Sequence, residues 1–554
     1  MLRLFFILSF ISVVFLNVAD GVAQSTLIVT NTNDSGDGSL RQAILDAGAG
    51  DVIAFEDSLL NQVIVLSSGA LLIDKDLTVT GPGRPVIDTA IYLEISASDS
   101  SRVLEIQPDI TVTLSDLVVR NGYTETDGGG MWIGEGANVI LERVALEDNH
   151  ALDNGGAIYN SAGANLLIQS GLIADNKALG DLSPNGGGLY NAAGSVRIEG
   201  GTVTGNESVR GGGIWNTSNG TVQLFGVLVQ NNEATAEGGG IYNNHKMIIH
   251  SSTIAENEAE DEAGGIRNRS GDSLLIVNST ISSNRAPQTG GIYNFRASNV
   301  YIYNSTIVFN ESDEDGAGLF NEEDAAITLY SSIIAANERD GSVVSDIQNQ
   351  SGGRVTSEGF NFIGVRGSLN LLSTDQSGTS SAPFNPQLEP LMTNGSSSYV
   401  HFPREISLTI DQGECAKMPL FLDQSGFLRI IDIAGVDNAS DGCDVGSVEF
   451  GSAINVSQED SKEVPGRNRL SHAYPNPFTL ETTFHVEVEN DQEIQVDLYD
   501  MLGKKVMVIY EGFVQGGMIH RFEIEKTEHL SSGMYIYQVK GPSIYQSRQV
   551  VLRR

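Results

Sequence analysis

A glycine-rich turn followed by an aliphatic residue, and usually an aromatic one, recurs eight times between residues 128 and 321. The copies read GGGMW (128–132), GGAIYN (155–160), GGGLYN (186–191), GGGIWN (211–216), GGGIYN (238–243), GGIRN (264–268), GGIYN (290–294) and GAGLFN (316–321). Their aliphatic positions are Met131, Ile158, Leu189, Ile214, Ile241, Ile266, Ile292 and Leu319, separated by 27, 31, 25, 27, 25, 26 and 27 residues. So regular a period means one small unit stacked many times, since a unit of this size cannot bury its apolar face alone. An asparagine keeps step at 25 to 30 residues: Asn149, Asn176, Asn206, Asn232, Asn257, Asn284, Asn310 and Asn337. Three residues before each stands an aliphatic side chain: Leu146, Ile173, Val203, Val229, Ile254, Ile281, Ile307 and Ile334.

Within each unit, short runs such as Ser279-Thr280-Ile281 and Ser305-Thr306-Ile307 alternate polar and apolar, and long helical periodicity is absent. The pattern predicts strands of about 3–6 residues joined by Gly/Asn turns. One period then forms one coil of an all-β, right-handed parallel β-helix, with equivalent residues stacked about 4.8 Å apart. Aliphatic ladders fill the interior. Asparagine suits a turn ladder because its amide both donates and accepts, and glycine pairs admit the positive φ of a sharp corner.

These units resemble the repeats of polymorphic outer-membrane proteins and related pectin-lyase-like β-helices, with aliphatic residues where those proteins often have Phe. The segment VTNTNDSGDGSLRQAI (29–44) resembles the start of secreted bacterial β-helix proteins that carry an SLREAI-type sequence. Ser39 and Gln42 form a capping-box pattern, and Leu40, Ala43 and Ile44 form an apolar face. A short helix is therefore expected to cover the first coil's unpaired edges. Asn385-Pro386, Leu388-Glu389-Pro390-Leu391, Asn394-Gly395, Ile410-Asp411-Gln412-Gly413, Asp423-Gln424-Ser425-Gly426 and Cys443-Asp444-Val445-Gly446-Ser447-Val448-Glu449-Phe450 resemble the tail of the same β-helix family. That resemblance implies a carboxy-terminal cap, with Cys415 and Cys443 where the family often keeps a pair. They are the chain's two cysteines, and an oxidising exterior would let them close one disulfide.

The ends of the chain carry an address. Residues 1–23 read as a signal peptide: Arg3, an apolar run from Leu4 to Val18, and Gly21-Val22-Ala23 ahead of cleavage after Ala23. No segment of the mature chain has the length of a membrane span. The β-helix with its caps occupies 24–450, a polar linker 451–470, and a last module 471–554. There, strand-like runs at 483–486, 494–500, 521–524 and 534–537 alternate, with turns between, and predict a small immunoglobulin-like β-sandwich. YPNPF (474–478), LYDMLGKKV (498–506), LSSGMYIYQV (530–539) and the closing RQVVLRR resemble the type A carboxy-terminal sorting domain of the type IX secretion system. The resemblance implies that secretion machinery as partner and a destination outside the cell or on the outer-membrane surface.

Chemistry is harder to place. A formal charge of −38 over 554 residues argues against a nucleic-acid partner, whose phosphates need basic patches. Nucleophile elbow, zinc spacing, phosphate-cradling loop and dinucleotide fingerprint are absent from the sequence. The residues after the aliphatic landmarks are Trp132, Tyr159, Tyr190, Trp215, Tyr242, Arg267, Tyr293 and Phe320, seven of eight aromatic in a chain that is 7 % aromatic. Strand alternation turns them outward. An external strip of this kind suits the apolar faces of sugar rings; equally, stacked rings stabilise adjacent coils. After the ladder asparagines, Glu207, Glu233 and Glu258 follow one another between Lys177 and Arg285. Acidic groups on adjacent coils bind calcium or catalyse hydrolysis in pectin-lyase-like enzymes, so these three are the candidates for catalysis. Glu311, Asp313, Asp315, Gly316 and Glu322 imitate a calcium loop but coincide with a repeat turn. No resident cofactor or metal is expected, calcium being the one ion the pattern admits. Regular ladders favour a secreted or displayed binding and adhesion protein for a glycan or surface ligand, without an assigned catalytic activity. The competing expectation is a polysaccharide lyase or glycoside hydrolase on the same scaffold.

Overall fold

The computed structural model describes residues 24–82, 92–269 and 273–451 with short gaps at 314–315, 340, 344, 394–397, 418–421, 428 and 434, and, in pieces, 469–552. The signal peptide and almost all of the 451–470 linker lie outside the described residues.

The first body is a parallel β-helix of about 12 turns. The strands of the coils fall into four columns. The longest column contains Asn138–Glu142, Thr221–Phe225 and Asn299–Tyr303; beside it run Ala145–Glu147, Thr253–Ala255 and Ile333–Ala335. A third, short column contains His150–Ala151, Lys177–Ala178 and Glu258–Ala259. The glycine turn feeds a fourth, an eleven-stranded sheet from Leu71–Ile73 to Ile347–Asn349. Register is one-to-one: Ile158 pairs with Leu189, Tyr159 with Tyr190, Asn160 with Asn191, and so onward. A one-residue slip would turn every interior side chain to solvent, so the buried aliphatic ladder Met131, Ile158, Leu189, Ile214, Ile241, Ile266, Ile292, Leu319 fixes that register.

The corner asparagines are interior and saturated. Asn176 Oδ1 accepts from the backbone N–H and the Nδ2 of Asn149, at 3.0 and 2.9 Å, while its own Nδ2 donates to Asn206 Oδ1 at 2.9 Å and to the carbonyl of Leu146 at 2.9 Å. The pattern repeats through Asn337, and the carbonyl taken is that of the aliphatic landmark one coil back. Asp346 ends the ladder: Oδ1 accepts from Asn337, and Oδ2 from the Val365 N–H at 2.7 Å. A second asparagine ladder, not among the expectations from sequence, runs beside the glycine turns. Asn160, Asn191, Asn216, Asn243, Asn268, Asn294, Asn321 and Asn349 join Nδ2 to Oδ1 at 2.8–2.9 Å.

The glycines serve two purposes, not one. Only the first of each triplet is left-handed, as at Gly238 (φ 69°), and Ala263 (φ 60°) takes that place one coil on. The next glycine is excluded from carrying a side chain by crowding: a Cβ at Gly239 would stand 2.2 Å from the Glu258 carbonyl oxygen.

Helix α1 (Leu40–Asp46) covers the first coil with Leu40, Ala43 and Ile44 buried. Ser39 caps it, but Gln42 bonds Asp46 at 2.8 Å instead of closing the reciprocal half of the box. At the other end, residues 399–450 fold back along the second column. Thr253 Oγ1 donates to the Tyr399 carbonyl at 2.6 Å, Thr280 Oγ1 to Gln424 Oε1 at 2.6 Å, and the Ser447 N–H to Thr306 Oγ1 at 3.0 Å. Cys415 and Cys443 are joined by a disulfide.

The last module is a small β-sandwich-like region with its own core. Arg469–Leu470, Thr482–Glu487 and Ile519–Ile524 form one antiparallel sheet; Lys505–Val514, Gln492–Asp500, Gly533–Lys540 and Tyr545–Leu552 form the other. Phe478, Phe484, Phe522 and Tyr537 are buried within it.

Candidate functional site

The eight residues after the aliphatic landmarks stack in one outward ladder, and the ladder divides in the middle. Trp132, Tyr159, Tyr190 and Trp215 are half-buried. Tyr242, Arg267, Tyr293 and Phe320 are 1–3 % exposed. The expectation of a continuous external strip is therefore corrected for the second half. Alternation does direct these side chains out of the core, but neighbours cover them. The Tyr242 hydroxyl accepts from Arg269 at 3.2 Å, and the Tyr293 hydroxyl donates to Glu322 at 2.5 Å. Phe320 closes on Tyr293 edge-on at 4.9 Å.

In the first half the rings of Tyr159, Tyr190 and Trp215 run parallel, with Trp132 in register with Tyr159 on the coil before. Tyr159 and Tyr190 lie 5.2 Å apart at 9°, Tyr190 and Trp215 6.3 Å apart at 4°, and Trp215 meets Tyr242 at 3.9 Å. At 3.9 Å two faces are in contact; at 5.2 and 6.3 Å the rings are offset and leave surface uncovered. Trp132 to Trp215 thus form a window of four aromatic side chains, one per coil. A polar ladder five residues upstream accompanies it. Asn154 bonds Asp127 Oδ1 through its N–H and Nδ2, both at 3.0 Å, and Asn185 repeats this on Asn154 at 3.1 Å. Burial pushes the Tyr159 hydroxyl up to about 12, the Asp127 charge adding to it. Two atoms here have no protein partner, Asn185 Oδ1 and Trp215 Nε1.

The ladder's acidic continuation was not singled out from the sequence. Glu237 and Glu262 pair in register on adjacent coils. Arg267, 3 % exposed, stands between them with Nε 3.3 Å from Glu237 and 2.9 Å from Glu262. Its guanidinium lies 3.9 Å from the Tyr293 ring centroid, a cation–π contact. Glu237, Asp261, Glu262, Pro287 and Gln288 line an open cavity of about 350 Å³. Burial raises the Glu262 carboxyl above the ordinary range while Arg267 opposes the rise. The signal was present in the sequence as the residue just before each glycine turn, but these residue types change from coil to coil and so hide their common position.

Glu207, Glu233 and Glu258 do stand in register, between Lys177 and Arg285. Lys177 Nζ is 2.8 Å from Glu207, and Arg285 is 3.9 Å from Glu258 and 3.1 Å from Glu311. Glu258 and Arg285 are more than half exposed, so these are surface pairs of small energetic weight. Of the described carboxylates of the calcium-like spacing, Glu311 and Asp313 share Arg285 and Glu322 turns to Tyr293, while Asp315 lies outside the described residues.

With this geometry in place, two family matches acquire meaning. Residues 143–161, which join one asparagine corner to the next glycine turn, match the Chlamydia polymorphic membrane protein repeat. Residues 472–553 match the secretion system C-terminal sorting domain. No curated protein matches the chain. The class is thus a parallel β-helix carrying outer-membrane-protein-like repeats. More particularly, it is a type IX secretion cargo, which its tail commits to that machinery and to a place outside the cell or attached at its surface. No helix of the described residues is long and apolar enough to cross a membrane.

Proposed function

We propose that the exported β-helix is a binding and adhesion protein that takes a glycan along the window Trp132, Tyr159, Tyr190 and Trp215. The observation that carries this reading is the offset, parallel stacking of half-exposed rings at one per coil beside the Asp127–Asn154–Asn185 ladder. Ring faces suit the apolar faces of sugars, and side-chain amides beside them suit hydroxyls. Glycan-array binding by the exported chain tests it: replacing Tyr190 and Trp215 by Ala should abolish binding, and binding that survives removes the proposal.

One observation favours a second reading, a hydrolase or lyase on the same scaffold. Glu237 and Glu262 share a cavity, and Glu262 has a raised carboxyl, the usual preparation of a general acid. Product analysis with acidic and neutral polysaccharides distinguishes the two. Depolymerisation lost in Glu262→Gln and kept in Glu233→Gln would establish catalysis at the cavity; loss in Glu233→Gln would place it on the exposed carboxylate column.

A further inference from the structure

The residue before a glycine turn and the aromatic-column residue of the next coil are neighbours in space. A Cβ on Gly128 would stand 3.2 Å from the Tyr159 Cβ, and one on Gly211 would stand 3.2 Å from the Tyr242 Cβ. Where both positions carry charge they bond directly: Glu237, just before Gly238, lies 3.3 Å from Arg267 Nε. Two coils earlier the same two positions are Asn185 and Trp215.

Each of these two leaves one buried polar atom without a protein partner, an acceptor at Asn185 Oδ1 and a donor at Trp215 Nε1. The orientation of the amide is fixed, because the N–H and Nδ2 of Asn185 both donate to Asn154 Oδ1 at 3.1 Å. Asp127 and Asn154 each accept from the coil that follows. After Asn185 the next place in the column is Arg210, whose Nε stands 3.5 Å from Glu237 instead. The polar ladder therefore stops with its last acceptor open. It stops where the aromatic window also opens: Tyr190 and Trp215 are 6.3 Å apart, against 5.2 Å on the coil before and 3.9 Å on the coil after. The same place is the lengthened coil, with 31 residues between Ile158 and Leu189 and the extra ones running up to Asn185. A buried donor and a buried acceptor side by side, both unpaired, call for a group that pairs them.

Such a group must offer an acceptor to the indole N–H and a donor to the amide oxygen. A carboxylate or sulfate satisfies the first alone, and an ammonium the second alone. We propose that the gap between Tyr190 and Trp215 takes the acetamido group of an N-acetylated hexosamine: its N–H donates to Asn185 Oδ1, its carbonyl accepts from Trp215 Nε1, and its methyl lies against the Tyr190 ring. The assignment rests on the glycan reading of the window and narrows it to one substrate class. A sugar hydroxyl also donates and accepts, but it lacks the methyl, and its donor and acceptor sit on one atom instead of pointing to opposite sides. Both orphaned atoms belong to half-buried side chains, so a small side-chain rotation presents them to the ligand.

Binding of the full exported chain to an array of N-acetylglucosamine and N-acetylgalactosamine oligomers, each printed beside its matched hexose and free-amine oligomer, tests the site. The N-acetylated member of a bound set should be held about tenfold or more tighter than the other two, because a site built to pair a polar group rejects the analogue that lacks it. Trp215→Phe keeps a ring and removes the donor, and Asn185→Ala removes the acceptor; each should shrink that preference to within about threefold. The wild-type preference decides alone if a variant does not fold. Hexose or free-amine oligomers held within about threefold of their N-acetylated partners by the wild type, or a preference unchanged in both variants, would overturn the acetamido site and leave the aromatic window standing. An array on which no oligomer is bound would remove the window and the site together.

Discussion

Asn232→Ala is the sharpest probe of what holds the coils together. Asn232 is fully buried. Its Oδ1 accepts from the N–H and Nδ2 of Asn206 at 3.1 and 2.9 Å, and its Nδ2 donates to Asn257 Oδ1 at 2.9 Å and to the carbonyl of Val203 at 3.0 Å. Alanine removes all of these. Asn206 Nδ2 keeps the carbonyls of Ile173 and Thr204, but its backbone N–H is left buried without its acceptor. An orphaned buried donor costs about 1–3 kcal/mol and each ordinary bond lost about 1 kcal/mol, so the whole change should cost about 3–5 kcal/mol. Because a solenoid couples chiefly to its neighbours, the loss should be local. Native-state hydrogen exchange should show the amides of Ile214 and Ile241 opening more easily, with those of the first coils unaffected. Glu233→Gln, one residue away and exposed, should stay within about 0.5 kcal/mol. A cost below about 1 kcal/mol for Asn232→Ala, or loosening spread evenly over all coils, would refute the ladder as the source of stability.

Phe320→Ala should behave as a core truncation, costing about 3–5 kcal/mol in urea unfolding, because the residue is 2 % exposed. Tyr190→Ala, half-exposed, should cost less stability and change glycan binding instead. Gly239→Ala forces a Cβ toward the Glu258 carbonyl and should lower stability by about 2 kcal/mol or more, whereas Gly226→Ala, left-handed (φ 64°) with open space around it, should cost only about 1 kcal/mol. Burial pushes the Asp346 carboxyl up to about 6, so its contribution to stability is full below the ordinary Asp range and declines as pH rises through about 6. Urea titrations of wild type and Asp346→Asn between about pH 4 and 7 should therefore differ in slope, with the variant the flatter of the two.

The interior was legible because stacking copies each residue's role at one spacing. Leu146, Asn149 and Met131 could be assigned together, since each stood in a column of like residues. The second asparagine ladder is written just as plainly, as the final N of GGAIYN through GAGLFN, but it shares the period of the glycine turn beside it and so carries no separate spacing of its own. Exposure of the aromatic column was not legible. Alternation gives the direction of a side chain, whereas its cover depends on what the adjacent coil supplies, Arg269 over Tyr242 and Glu322 over Tyr293. The path of the segment after residue 399 was equally hidden. Thr280 reaches Ser447 across 167 residues, and a contact of that span leaves no periodic mark.

The same architecture explains why the site is hard to read from one chain. Inward ladders fix register, and any slip exposes them, so the interior admits little variation. Outward columns are held at the same coil-to-coil spacing whatever they carry, and the column that is Tyr190 and Trp215 in two coils becomes Arg267 two coils beyond Trp215. That single change converts stacking into charge compensation. Arg267 bridges Glu237 and Glu262, which stand in register and repel, with Arg210 also 3.5 Å from Glu237, and it does so from a position an aromatic ring would fill. Arg267→Tyr would restore the aromatic column but leave two carboxyls side by side in a partly buried cavity, with Arg210, 3.5 Å from Glu237, as the paired cation that remains. If the cavity only tolerates its charge, that variant should cost stability increasingly as pH rises and leave glycan binding at Trp132–Trp215 intact. If the cavity is the functional centre, polysaccharide turnover should fall with the arginine while the fold persists.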